Sequence, residues 1–305
     1  MAAASNLPKL KAGDAVALIA PASGQKADDK ALVNTAITLL HDWGLRVVQT
    51  PTLQQTHYLA ADDHTRASEL RQALTHPDIK AIFVTRGGYG CARLLPLLGD
   101  ISVPTPRYLV GFSDITTLHL YFAEQASVYR MHGLNLATAQ CLAPTPAAEQ
   151  NRQALHAALF TATLPTLHLT PLFTPVSSSA MATLQSAPLT GGCLSLLVTS
   201  LGTAHEIQTA GKTVIIEEVG EAPYKIDRLL THLKNAGKFD SAAGIILADM
   251  VGCDSANMAV QDVLCDVLAD VPCPVLCCQG IGHGACNFPW VYGYSIRNLC
   301  TNACT

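Results

Sequence analysis

The chain has 305 residues, of which 49% are hydrophobic and 14% charged, with a formal net charge of −4. This composition suits one large or two ordinary domains with a substantial core, and it excludes a disordered chain. The mild negative charge, with no large basic block, argues against a nucleic acid partner, and no apolar run is long enough to span a bilayer.

The first residues, Met1 to Lys11, contain no long apolar core of a signal peptide. Val16 to Ala22 is apolar but short and follows Asp14, so it reads as a first strand. The expected location is the cytoplasm. The cysteines agree: there are eleven, an odd number, crowded toward the C-terminal half without a paired C-x-x-C framework. In a reducing compartment they behave as small buried hydrophobes. A zinc site built on Cys273, Cys277, Cys300 and Cys304 has the wrong spacing for the common ribbons. No metal or other cofactor is expected.

In chain order, Val16–Ala20 is strand-like and runs into the turn Pro21-Ala22-Ser23-Gly24. Asp28–Asp42 carries Leu32, Ala36, Leu39 and Leu40 at helical spacing and stops at Gly44. Leu45–Gln49 reads as a second strand, Asp62–Thr75 as a helix closed by Pro77, and Ala81–Thr85 as a third strand. That strand leads into Arg86-Gly87-Gly88-Tyr89-Gly90 and a short helical piece through Leu95. Tyr108–Phe112 is the next strand, and Asp114–Glu124 the helix after it. Strands alternating with helices argue for an α/β fold with a mostly parallel sheet, whose ligands bind at the carboxyl ends of strands.

From Leu142 to about Ala187 the texture turns rich in Pro, Thr and Ser around one helical piece, Ala147–Leu159. This predicts an N-terminal domain over 1–145, a connection over 146–187 and a C-terminal domain over 188–305. The second half begins near Leu189-Thr190-Gly191-Gly192-Cys193-Leu194, with a helical run to Leu201. Thr213–Ile216, Ala243–Leu247 and Pro274–Cys278 read as strands, and Tyr224–Leu233 and Asn257–Leu268 as helices. Trp290–Ile296 closes a hairpin or an edge.

Three reactive residue types fall just past these strand ends: Ser113, the pair Glu217 and Glu218, and His283. A serine hydroxyl needs an adjacent base, histidine suits that role, and a carboxylate on its far nitrogen fixes the tautomer. The parts of a Ser–His–Glu triad are therefore present, in an order known among convergent triads. The G-x-S-x-G elbow is absent because Ile115 holds the second glycine position, which argues against a standard α/β-hydrolase. Each residue also has a plainer reading. Ser113 suits a helix N-cap, His283 a turn between Gly282 and Gly284, and the glutamates a solvated strand end. Arg86-Gly87-Gly88 suits a Gly-rich turn but no Walker loop. His132 reads as a buried, hydrogen-bonded histidine and His119 as packing on the helix after Ser113.

Five motifs occur in order: Thr85-Arg86-Gly87-Gly88-Tyr89-Gly90, Gly111-Phe112-Ser113-Asp114-Ile115-Thr116, His132-Gly133, the run from Glu217-Glu218 to Asp227-Arg228, and Gly282-His283-Gly284. With them the chain resembles, over nearly its whole length, the LD-carboxypeptidase family, the muramoyltetrapeptide carboxypeptidases of serine-peptidase type. The resemblance implies an N-terminal Rossmann-like domain and a smaller C-terminal β/α domain with the active site between them. It implies Ser113 as nucleophile, His283 as general base and Glu217 as orienting acid, with Glu218 its neighbour. Backbone N–H groups of Gly88 and Asp114 become the oxyanion donors. The implied substrate is a murein tetrapeptide, cut at the L,D bond before terminal D-alanine in peptidoglycan recycling.

A carboxypeptidase must also hold a free carboxylate, and Arg86 and Arg228 are the candidate cations. A homodimer is suggested. A related branch hydrolyses peptidyl-adenylate antibiotics for self-immunity, but the run Glu221 to Arg228 resembles the cell-wall branch. The chain departs from the family at Cys193, where Asn is frequent, and in the tail Asn287 to Gly293. A non-catalytic, Rossmann-like binding protein for peptides or nucleotides is the alternative of a different class.

Overall fold

The computed structural model describes residues 7–24, 30–53, 57–173 and 175–296. The chain divides into two compact units, with described residues 7–163 in the first and 164–296 in the second.

The first unit alternates strand and helix as the apolar pattern predicts. Its elements are β1 (Ala15–Ile19), α1 (described from Lys30 to Asp42), β2 (Arg46–Gln49), α2 (Asp63–Thr75) and β3 (Ile79–Val84). They continue through a 3-10 turn, Cys91–Leu94, into α3 (Leu95–Leu98), then β4 (Arg107–Val110), a 3-10 turn Ser113–Ile115, α4 (Thr116–Tyr121) and β5 (Val128–His132). Two helices, α5 (Ala139–Leu142) and α6 (Pro146–Phe160), finish the unit. The strands lie in the order β5-β4-β3-β1-β2, each pair parallel.

Central β1 and β4 are buried along their whole length, as near-continuous apolar runs in a covered parallel sheet must be. Edge strand β2 alternates exposed and half-buried residues. Arg107, fully buried in this core, donates to the carbonyls of Ala73 and His76 at 2.8 Å, closing the C-terminal end of α2. Because β2 and β3 flank β1 on opposite sides, the chain reverses direction across the sheet between them. In open parallel sheets ligands bind at the carboxyl ends of the strands beside such a switch point. The loops after β1, β3 and β4 all leave from that end.

The second unit contains β6 (Leu169–Pro171), α7 (Ser178–Ser186), β7 (Leu189–Cys193), α8 (Leu194–Thr199), β8 (Thr213–Val219) and α9 (Pro223–Asn235). It ends with β9 (Gly244–Val251), α10 (Val260–Val267), β10 (Val275–Cys278) and the short β11 (Trp290–Val291). The order β6-β10-β9-β8-β7 is parallel except for β6, which runs against β10. Helices α9 and α10 bury Ile226, Leu230 and Leu233, and Val260, Val263, Leu264 and Val267. Among the described residues no helix is long and apolar enough to cross a membrane.

Several expectations need adjustment. The connection expected over 146–187 is divided between the units. Helix α6 buries Leu155, Ala158 and Leu159 in the first, where Leu159 accepts from Leu10 N–H at 2.9 Å, while β6 and α7 belong to the second. Glu217 and Glu218 lie inside β8 rather than beyond its end. The helix expected over Asp114–Glu124 is a 3-10 turn followed by the shorter α4. The segment after Trp290 runs beside β7, exchanging backbone bonds between Leu189 and Gly293 and Tyr294. Cys300 and Cys304 lie outside the described residues; Cys273 and Cys277 are half-buried.

Strand β7 is unexpected from the sequence because two of its five residues are glycines, yet the fold requires one of them. Gly191 has φ +132°, and a Cβ there would stand 1.9 Å from the carbonyl oxygen of its partner Ile215. Gly191→Ala must therefore part β7 from β8. The expected cost is more than about 3 kcal/mol, read as a fall of about 6 °C or more in thermal midpoint. An unchanged midpoint would contradict this pairing.

Candidate active site

In the first unit, β4 ends at Val110 and Phe112 remains extended, with φ −147° and ψ −172°. Ser113 then takes φ +64°, in the left-handed region, and opens the 3-10 turn. A non-glycine residue there costs on the order of 1–3 kcal/mol, and such strain gathers at functional sites. Ser113 is half-buried, and its hydroxyl makes no hydrogen bond among the described residues. It does not cap the helix: Phe112 holds the N-cap position, without a side-chain bond. The serine thus sits on a sharp strand-to-helix turn, its hydroxyl uncommitted, beside backbone N–H groups of a first helical turn.

Several buried side chains fix this turn. His119 Nε2 contacts the Gly111 carbonyl at 2.9 Å; the partner is an acceptor, so Nε2 carries the hydrogen. Complete burial drives the His119 imidazole down to about 3, so it remains neutral. Asn135 Oδ1 accepts from Phe112 N–H at 3.2 Å, and its Nδ2 donates to the Phe112 carbonyl at 3.4 Å. The Asp114 carboxylate, 1% exposed, accepts from Cys91 N–H at 2.8 Å and so ties the Gly-rich loop to the serine turn. Burial pushes the Asp114 carboxyl up, while donation from the Cys91 N–H opposes that rise.

The loop 86–90 is held from its other side as well. Ser23 Oγ accepts from Tyr89 N–H at 3.0 Å, and the buried Arg66 donates to Gly90 O at 3.0 Å and Ala61 O at 3.1 Å. Gly88, expected as an oxyanion donor, is exposed between these tethers. Arg86 is half-buried and donates to Gly24 O at 3.3 Å. His132 is buried, its ring 5.5 Å from that of Phe112.

In the second unit the structure joins Glu217 to His283. Glu217 Oε2 lies 2.7 Å from His283 Nδ1, with the Glu217 side chain fully buried and that of His283 19% exposed. A carboxylate accepts, so Nδ1 carries the hydrogen, and in the neutral ring the lone pair falls on Nε2. Burial opposes the His283 cation, but the hydrogen bond and charge of Glu217, with the further charge of Glu218, outweigh it and raise its pKa above 6.5. Burial likewise pushes the Glu217 carboxyl up, against the pull of His283.

Gly282 is what admits this pair: a Cβ there would lie 2.6 Å from Glu217 Oε2. Asn287 Oδ1 holds the turn by accepting from Gly282 N–H at 2.9 Å. Glu218 does different work, accepting from Ser195 N–H at 2.7 Å, from Cys193 Sγ at 3.3 Å and from Val219 N–H at 2.9 Å. It therefore anchors the first turn of α8, and burial raises the pKa of the adjoining Cys193 thiol. Arg228 is exposed on α9, with its guanidinium 5.5 Å from the Tyr224 ring centre.

Sequence reasoning missed Asn135 and the side-chain role of Asp114, and took His119 for packing alone. For Asn135 the only signal was a polar residue inside the otherwise apolar run after His132-Gly133.

The sequence matches the model of the LD-carboxypeptidase N-terminal domain over residues 16–133 and that of the LD-carboxypeptidase C-terminal domain over 186–297. It is 34% identical over 284 residues to a probable murein peptide carboxypeptidase of Bacillus subtilis, covering 90% of this chain and 85% of the relative. It is 30% identical over 298 residues to the murein tetrapeptide carboxypeptidase of Pseudomonas aeruginosa, covering 91% of each. The fold resembles the crystal structure of muramoyltetrapeptide carboxypeptidase from Oxalobacter formigenes, with TM-score 0.72, 19% identity and 92% of each chain covered. It also resembles the microcin C7 self-immunity protein MccF, with TM-score 0.75, 20% identity, and 94% and 93% covered.

The histidine environments make an NMR prediction. A raised pKa keeps His283 cationic to higher pH, so its imidazole is expected to titrate above 6.5, and in Glu217→Gln its midpoint should move down. His119 should show no titration between pH 5 and 8, since burial holds it near 3. A His283 midpoint below 6.5 in the parent, or one unmoved in Glu217→Gln, would contradict the pairing.

Proposed function

Because the chain belongs to the LD-carboxypeptidase family, we propose that it is a serine carboxypeptidase cleaving the L,D peptide bond before the terminal D-alanine of murein tetrapeptides. Ser113 Oγ attacks the carbonyl carbon of the residue before D-alanine, diaminopimelate or lysine, while His283 Nε2 accepts the hydroxyl proton. The N–H groups of Gly88 and Asp114 receive the developing oxyanion, where preorganised donors stabilise charge without reorganisation. Collapse of the tetrahedral intermediate breaks the C–N bond, and His283 returns the proton to the departing amine of D-alanine. Water, deprotonated by the same imidazole, then attacks the acyl ester, and as the ester C–O bond breaks the imidazolium returns the proton to Ser113 Oγ and the shortened peptide leaves. Glu217 holds the imidazole tautomer and balances the imidazolium, and Arg86 and Arg228 are the cations available for the terminal carboxylate.

The observation that carries this reading is the Ser113 turn: a serine held at φ +64° just past the carboxyl end of a central parallel strand, its hydroxyl without a hydrogen bond among the described residues. The pairing of Glu217 with His283 at 2.7 Å supplies the matching acid–base pair. The substrate class comes from relatives named for murein peptides.

Release of D-alanine from a tetrapeptide tests it. Ser113→Ala should lower kcat by about 10,000-fold or more, and Glu217→Gln by a similar order, with little change in unfolding midpoint. Release by Ser113→Ala at the parent rate would end the serine mechanism. A parent that cleaves peptidyl-adenylates but no tetrapeptide would move the chain to the immunity branch. The acid limb of kcat/KM should lie above pH 6.5, because His283 must be neutral to act as base and its pKa is raised.

A further inference from the structure

We infer that Asn135 is a positioning residue for the nucleophile: its buried carboxamide fastens both backbone polar atoms of Phe112 and thereby aims Ser113. This deepens the proposed serine mechanism and rests on it. Phe112 is the residue whose ψ sets the direction in which Ser113 leaves the strand. Asn135 holds it at two points, accepting from its N–H at 3.2 Å and donating to its carbonyl at 3.4 Å. With 2% of its surface exposed, Asn135 is shielded from competing water.

The clamp is itself anchored on β3. The backbone N–H groups of Leu136 and Ala137 donate to the carbonyls of Val84 and Thr85 at 2.9 Å each, and Thr138 Oγ1 donates to the Asn135 carbonyl at 2.8 Å. Val84 and Thr85 are the residues that deliver the chain into Arg86-Gly87-Gly88. One side chain therefore sets the position of the serine turn against the strand that carries a proposed oxyanion donor. Contact between the two is tight. A Cβ on Gly87 would fall 2.8 Å from Ser113 Cβ, 3.0 Å from Ser113 Oγ and 3.4 Å from Asn135 Nδ2. A slip of Phe112 by about 1 Å displaces the hydroxyl from its attack line, and misplacements of that size cost about 100-fold in rate. His119 steadies the same turn one residue earlier, at Gly111 O, while the Phe112 carbonyl also accepts from Ile115 N–H at 3.4 Å within the turn.

Three variants separate positioning from folding. Asn135→Leu keeps the branched shape and deletes both bonds. Asn135→Ser is too short to span them, and Asn135→Asp keeps the acceptor for the Phe112 N–H. With the tetrapeptide, Leu and Ser at 135 are expected to lower kcat about 100-fold. KM should stay within about threefold of the parent, and the acid limb should stay in place, because the His283–Glu217 pair is untouched. Asp should retain more activity than either. Leu or Ser variants that fold and keep kcat within about threefold of the parent would overturn the proposal, as would a loss confined to KM. A crystal structure of the folded Leu or Ser variant reads the same point without turnover. Ser113 should leave φ +64° or its Oγ should move by about 1 Å, and an unmoved Ser113 overturns the proposal whatever the activity. A parent that releases no D-alanine overturns the carboxypeptidase reading instead, and the crystallographic comparison still decides the role of Asn135.

Discussion

A strand buried in the middle of a parallel sheet has to surrender its chain to a helix within three residues, and the left-handed Ser113 is where that turn is made. The conformation is unfavourable by on the order of 1–3 kcal/mol for a serine. Hydrogen bonds worth about 1 kcal/mol each hold the turn against that cost, from His119 to Gly111 and from Asn135 to Phe112. These partners come from α4 and from the segment after β5. The serine geometry is therefore a property of the β3-β4-β5 arrangement as a whole and not of the Gly-Phe-Ser-Asp sequence alone. The same arrangement explains why Asp114 is buried: its carboxylate accepts from Cys91 N–H and binds the neighbouring loop to the turn.

Two adjacent glutamates in the second unit illustrate how a strand divides labour. Successive side chains on a strand face opposite sides, so Glu217 and Glu218 have different surroundings although both are buried. Glu218 has donors on both oxygens from Cys193, Ser195 and Val219, and a carboxylate so satisfied is a structural anchor. Glu217 has His283 on Oε2, while its buried Oε1 has no hydrogen bond among the described residues. Its ionised form therefore depends on the imidazole. That dependence couples the two groups: protonating His283 is favoured by the charge it stabilises. An irregularity in the β8–β9 register between Ile216 and Glu218 lies at this point of the strand.

Much of the fold was legible because burial imposes simple patterns. The apolar runs of β1, β3 and β4 and the one-sided faces of α9 and α10 announce their elements directly. Strands β5 and β7 were not legible. Val128-Tyr129-Arg130-Met131-His132 has neither an apolar run nor an alternation, and Leu189-Thr190-Gly191-Gly192-Cys193 is dominated by residues of low strand preference. Both are strands because a neighbouring strand supplies hydrogen-bond partners, a condition that local sequence does not encode. In the same way the Pro-rich stretch around α6 resembled a linker, yet its buried leucines make it part of the first unit.

Of the site, the sequence by itself determined the chemical inventory: a serine after a strand, two glutamates, a histidine between glycines, and the family to which their order points. Residue types and spacing carry that information because covalent neighbours decide local turns. The tertiary structure alone decided which glutamate meets His283, that Ser113 is strained and caps nothing, and that Asn135, His119 and Asp114 brace the turn. Each of these depends on contacts between residues far apart in the chain, and only packing brings them within hydrogen-bond distance.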